Sequence, residues 1–216
     1  MTGHAIAVNP ATSVRGPKHS TVRGTTPVLL PTEARQILNC IDASTAVGLR
    51  DRALIALMIF SFARISAALS MRVEDYYFVG NRRWIRLREK GGIRHEMPAH
   101  RDLERFMNSY IEGTYLINEV KRPLFRSAIT HDELSNRPMS RVDAYRMVRR
   151  RADEAGVASG ICCHSFRATG ITTYLNNGGT LKNAQRMAAH KSPRTTKLYD
   201  RTDDRITEEE IERIII

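Results

Sequence analysis

The apolar positions of the chain change period twice. From Pro31 the sequence runs PTEARQILNCI, placing Ala34, Ile37, Leu38 and Ile41 at i, i+3, i+4 and i+7. That spacing predicts an amphipathic helix opened by Pro31-Thr32-Glu33. Gly48 to Phe62 (GLRDRALIALMIFSF) is apolar nearly all round after a charged first turn. It predicts a central buried helix, and a short helix from about Ser66 to Met71 follows. The period then changes. Val73 to Val79, Trp84 to Glu89 and Ile93 to Pro98 are short and rich in β-formers, with turn signals at Gly80-Asn81 and Gly91-Gly92 between them. They predict a small three-stranded antiparallel sheet. Helical patterns return at about 100–112, 139–155, 165–177, 181–188 and 194–199, with Gly156 and Gly178-Gly179 marking helix ends.

The two ends differ from this body. Thirteen of the first thirty residues are Gly, Pro, Ser or Thr and show no period, so residues 1–26 are expected to form a flexible basic arm or linker. At the other end Thr207 and Glu210 form a capping box, and Ile211, Ile214 and Ile215 make a stripe at i, i+3, i+4. A helix this short is not stable alone in water. Its stripe is expected to dock, on the chain's own core or on a neighbouring subunit.

Composition narrows the class. The 216 residues are 42% hydrophobic and 26% charged, as in a soluble globular protein of one large domain or two small ones. A chain of this length builds a sufficient core without disulfides or metals. No apolar run approaches the ~18 residues of a membrane span, and MTGHAIAVNPATS lacks the apolar stretch of a secretory signal. Cys40, Cys162 and Cys163 are an odd set without disulfide-like spacing, which points to free thiols in a reducing cytosol. The net charge of +11 is carried by residues 31–200, because the basic arm and the acidic C-terminus offset each other. Arg far outnumbers Lys, which favours bidentate phosphate contacts and a polyanionic partner, DNA or RNA.

Four local patterns carry candidate chemistry. Arg64 follows directly on the buried helix in Phe62-Ala63-Arg64-Ile65-Ser66 and needs a partner there; an acidic side chain would serve as well as a phosphate. Glu89-Lys90-Gly91-Gly92 puts a lysine at a hairpin tip, which is also what an ordinary turn looks like. In Cys163-His164-Ser165-Phe166-Arg167-Ala168-Thr169-Gly170, His164 and Arg167 share a helix face and suit one phosphate near a helix start. The adjacent Cys162-Cys163-His164 has the wrong spacing for zinc, so no metal is expected. Last, His190 precedes Tyr199 by nine residues in a basic stretch ending Leu198-Tyr199-Asp200.

Taken together, the order Arg64, Lys90, His164-x-x-Arg167, His190, Tyr199 resembles the tyrosine recombinase (phage integrase) family, over about residues 27–205. The resemblance implies an α+β fold, a mainly helical DNA breaking-rejoining catalytic domain with a small antiparallel sheet. It implies double-stranded DNA as partner, no cofactor, and cleavage through a 3′-phosphotyrosyl link. Tyr199 would be the nucleophile and need help with its proton, since a free phenol has a pKa of ~10. His164 is the general base nearest in the pattern. Arg64 and Arg167 would clamp the non-bridging oxygens, Lys90 would protonate the departing 5′ oxygen, and His190 would hydrogen-bond a non-bridging oxygen. The phosphotyrosyl bond conserves the energy of the phosphodiester, so no nucleotide is required, and the chain has no GxxxxGK[ST].

Two departures stand out. Relatives usually carry an acid three residues after the first arginine, where this chain has Ala67, removing an obvious partner for Arg64. Most also begin with a helical core-binding domain, where this chain has only its arm; a compact recombinase and a truncated one are both compatible with that. The segment 206–216 resembles the piece relatives donate to a neighbouring protomer, which implies a head-to-tail tetramer on DNA. The rival expectations are a type IB topoisomerase-like activity and a DNA-binding fragment without turnover. A metal-dependent nuclease has no carboxylate cluster to support it, since Glu74 and Asp75 are adjacent on an expected strand and would face opposite sides.

Overall fold

The computed structural model describes residues 24–89, 92, 94–157 and 160–200. Helix α1 (Pro31–Cys40) begins where Pro31 fixes the first turn and the Glu33 carboxylate accepts the Leu30 amide at 2.7 Å. Its stripe of Ala34, Ile37 and Leu38 is buried. Helix α2 (Ala46–Phe60) is capped by Thr45, whose hydroxyl accepts the Gly48 amide at 3.0 Å. Ala53 through Met58 have no exposure at all, as the all-round apolar pattern predicts. Around α2 pack α1, α3 (Ile65–Leu69), α4 (Arg101–Gly113) and α6 (Cys163–Asn176). Helix α5 (Arg141–Glu154) lies on α1, α3 and α6, and α7 (Leu181–Met187) and α8 (Pro193–Lys197) finish the described chain.

The expected sheet is present. Strands β1 (Tyr76–Val79), β2 (Arg82–Arg88) and β3 (Arg94–Pro98) run antiparallel in that order. Gly80 takes the positive φ that the tight β1–β2 loop requires. Alternation along β2 turns Ile85 and Leu87 inward, both fully buried, and Arg86 and Arg88 outward.

Two parts differ from the sequence expectation. Val73–Asp75 is a 3₁₀ turn and not the start of β1, so Glu74 and Asp75 do not sit on opposite faces of a strand. The reason is local: Asp75 is wholly buried, its Oδ2 accepts the Arg72 amide at 2.9 Å, and Arg86 and Arg88 approach its Oδ1. A second hairpin, β4 (Arg126–Ala128) with β5 (Leu134–Pro138), occupies a stretch for which no strand is expected.

Asp51, in the second turn of α2, is fully buried and collects three arginines. Arg50 holds Oδ1 at 2.6 Å, while Arg151 and Arg150 hold Oδ2 at 2.9 and 3.2 Å. Arg50 also donates to the Arg126 carbonyl at 2.8 Å, so the cluster ties α2 to α5 and β4. Removing Asp51, the buried acid of this cluster, costs about 3–5 kcal/mol.

Helices α2 and α6 cross closely at Gly170. A Cβ on Gly170 would stand 2.0 Å from the Ile59 carbonyl oxygen and 2.9 Å from the Phe62 ring. Only glycine permits that approach, and it seats α6 against the C-terminal end of α2. A small second core forms beside it from Phe62, Ile171, Leu175, Ala184 and Ala188, with Tyr174 and Tyr199 packed on it.

Candidate active site

Three chain segments converge where α2 ends: the turn after α2, the first turns of α6, and the α7–α8 connection. Phe62 is a buried non-glycine residue with φ of 55°, and Ala189 has φ of 46°. Left-handed backbone at such residues costs free energy and marks positions that the surroundings hold for a purpose. Here both positions turn carbonyl groups onto one side chain. Arg167, almost fully buried, donates through Nη1 to the Phe62 carbonyl and through Nη2 to the Ala188 carbonyl at 2.7 Å. The same Nη2 lies 2.7 Å from His190 Nε2.

That contact fixes the His190 tautomer. A guanidinium only donates, so Nε2 accepts and Nδ1 carries the proton. Thr196 Oγ1, fully buried, lies 2.9 Å from Nδ1 and accepts it. His190 is therefore neutral. Burial and the charges of Arg167 and Arg64 push its pKa down to about 4. Its ring stacks on Tyr199, with centroids 5.9 Å apart and planes 13° from parallel.

Tyr199 stands just past α8. Its amide donates to the Thr196 carbonyl at 3.0 Å, and its carbonyl accepts Thr172 Oγ1 of α6 at 3.0 Å. The phenol points toward Arg167. Burial and the nearby Arg64 lower the Arg167 pKa to about 10, while Glu89 and Tyr199 oppose the fall.

Arg64 occupies the N-cap of α3 and points its guanidinium at Glu89, Nη1 donating to Oε2. His164, second residue of α6, is exposed to solvent. Partial desolvation and the positive charges of Arg167, Arg64 and Arg141 lower its pKa, so it too favours the neutral form. No side-chain hydrogen bond of His164 is formed among the described residues. His95 of β3 faces the same region. Burial lowers its pKa first, with Arg167 and Arg186 adding to the fall and Glu89 and the Met187 backbone opposing it.

Five of the six residues picked from sequence thus lie close together in one basic cluster: Arg64, His164, Arg167, His190 and Tyr199. Lys90 lies outside the described residues, as do the stretch 206–216 and residues 1–23 of the arm. The described end of the arm reaches the site, Gly24 donating to the Leu198 carbonyl at 3.1 Å and Leu29 to Thr169 Oγ1 at 2.9 Å. Glu89 and Thr196 had no role in the sequence reading. Glu89 did leave a signal: it continues the inward-facing series Ile85, Leu87, and a charge on that side calls for a partner. Among the described residues no three His, Cys, Asp or Glu side chains converge as a metal cage.

The fold is thus a mainly helical domain with a three-stranded antiparallel sheet, in which Tyr199 stacks on His190 beside the buried Arg167. Comparison with known proteins makes this specific: the phage integrase family profile matches residues 27–205, and the chain belongs to that family. Tyrosine recombinase XerD of Listeria monocytogenes (serotype 4b, strain F2365) is 23% identical over 88% of this chain and 62% of its own length. XerD of Chlorobaculum tepidum is 26% identical over 94% of this chain and 66% of its own length. The chain spans about three fifths of the length of the curated relatives it matches. Among solved structures, XerH bound to difH in a pre-cleavage complex matches 90% of this chain and 55% of its own, with a TM-score of 0.67 and 19% identity. A lambda integrase dimer bound to a COC′ core site matches 94% and 56%, with a TM-score of 0.65 and 18% identity. These structural likenesses establish the fold.

Proposed function

We propose that this chain is a site-specific DNA strand transferase that cuts and rejoins DNA through a 3′-phosphotyrosyl link at Tyr199. The observation that carries the reading is the seat of Arg167: a buried guanidinium held by two backbone carbonyls and neutral His190, directly beside the Tyr199 phenol.

The chemistry follows from the side chains. The Tyr199 oxygen attacks the phosphorus as its proton leaves, with His164, neutral at physiological pH, as the acceptor. The bond from phosphorus to the 5′ oxygen breaks, and Lys90 supplies the proton that oxygen needs. Arg64 and Arg167 hold the two non-bridging oxygens and stabilise the added negative charge, the task that metal ions perform elsewhere. His190 orients Arg167 and the Tyr199 ring; it donates to a non-bridging oxygen once its proton sits on Nε2 rather than Nδ1. Reversal, with a 5′ hydroxyl as nucleophile, rejoins the strand with no net change in phosphoester bonds.

The partner is double-stranded DNA, and the assembly is a tetramer in which residues 206–216 dock on a neighbouring protomer. Family membership, the basic body and the DNA-bound state of the solved relatives support the DNA partner; the apolar stripe Ile211, Ile214 and Ile215 is what suggests the assembly. Nicked suicide duplexes test the activity. A denaturing gel is expected to show a DNA-linked band with the full chain and none with Tyr199→Phe. Salt-sensitive binding without any band would favour a DNA-binding fragment. Relaxation of supercoils without a target site would favour topoisomerase-like activity.

A further inference from the structure

Glu89 is an acid where the sheet calls for an apolar residue. It extends the inward series of Ile85 and Leu87 one residue beyond β2 and is itself buried. An ionised carboxylate in such a place is costly unless paired. Its partner comes from 25 residues earlier: Arg64 Nη1 donates to Glu89 Oε2. The exposures of the two side chains are unequal, 4% for Glu89 and 30% for Arg64. One end of the guanidinium is therefore anchored inward, while part of it remains exposed. Among the described residues this is the only side-chain hydrogen bond that Arg64 makes. Ala67, the position at which relatives usually carry an acid, has no polar atom to offer.

We propose that Glu89 is the positioning residue for Arg64, doing from the end of β2 what position 67 cannot do in this chain; the proposal rests on the strand-transfer reading above. Glu89 fixes Nη1, which leaves Nε and Nη2 to receive a phosphate in a preset orientation. Its charge also acts on both cations: it pairs with Arg64, and it opposes the fall that Arg64 causes in the Arg167 pKa. Both guanidiniums can then share one cluster before a phosphate arrives. Glu89 does not touch the phosphate, which has its own sign of charge.

Two measurements on the full chain test this. The first is a urea-unfolding cycle with Arg64→Gln, Glu89→Gln and both. Each single change strands a charge, so the double variant is expected to be at least about tenfold less unfolded than the product of the single effects. Additive effects would overturn the pairing. The second compares DNA affinity with the rate of adduct formation at saturating suicide DNA. Glu89→Gln is expected to slow adduct formation at least tenfold while DNA binding stays equal or tightens, since a negative charge has left a phosphate-facing region. Glu89→Asp is expected to recover most of the rate. Parallel loss of binding and rate, or an unchanged rate in Glu89→Gln, would overturn the positioning role. A wild-type chain that forms no adduct would sink the strand-transfer reading, and the unfolding cycle would then decide alone whether Glu89 holds Arg64.

Discussion

At the scale of single residues, the site depends on which histidines stay neutral. His190 accepts from Arg167 through Nε2 only while that nitrogen is unprotonated. Its folded pKa of about 4 lies below the ordinary 6.5, so the folded state binds the proton less readily than the unfolded chain. The stability this represents is complete above pH 6.5 and is lost as pH falls toward 4, about 3 kcal/mol in all. His164 and His95 shift in the same direction and add to the acid limb. Urea unfolding from pH 7.5 to 4 is expected to show this loss, and His190→Asn to show a shallower one. An identical slope in the variant would contradict the neutral-histidine assignment. Thr196→Val leaves the buried Nδ1–H of His190 without its acceptor. It is expected to destabilise the chain by about 1–3 kcal/mol and to slow adduct formation. Wild-type stability in Thr196→Val would show that the Thr196 hydroxyl is not what satisfies His190 Nδ1.

At the scale of elements, the α2–α6 crossing sets the distance between the Phe62 carbonyl and Arg167. Gly170→Ala places a methyl 2.0 Å from the Ile59 oxygen, a backbone atom that cannot swing aside. The helices must part, at a cost of about 3 kcal/mol, the upper end for overpacking. Adduct formation is expected to fall with it, as Arg167 loses its carbonyl seat; a stable and active variant would show that the crossing is not what sets the site. This contact also shows what the sequence makes legible. The helices and first hairpin follow from apolar period and turn residues, and Gly170 is visible within the His164–Gly170 pattern. Its necessity is not visible, because it depends on a carbonyl of another helix. The β4–β5 hairpin is illegible for a different reason: its strands are short and polar, with Leu134-Ser135-Asn136-Arg137-Pro138 carrying no apolar alternation. The six candidate site residues are readable only as an ordered set, since each alone fits an ordinary structural role. The Arg64–Glu89 pair escaped because the chain separates its members by 25 residues and pattern reading looks for the acid at position 67.

At the scale of the whole molecule, the charge of +11 would govern how the proposed DNA partner is met. Contacts from a basic face to six to ten phosphates would give a log–log salt slope of about −5 to −9, and a loss in affinity on the order of 10³–10⁵ between 50 and 200 mM salt. Fluorescence anisotropy over that range checks this; a slope shallower than about −2 would rule out a phosphate-dominated interface. Deleting residues 206–216 is expected to abolish assembly beyond single bound protomers in native gels, and unchanged assembly would place the subunit contact elsewhere. The proposed chemistry turns on one atom, the Tyr199 phenolic oxygen, and peptide mapping of the covalent product is the decisive measurement. After nuclease and protease digestion of the adduct, a 3′-phosphonucleotide is expected on the peptide containing Tyr199, with a free 5′ hydroxyl on the released strand. A nucleotide on another tyrosine, a 5′-phosphate linkage, or a cut strand with no attached peptide would contradict it.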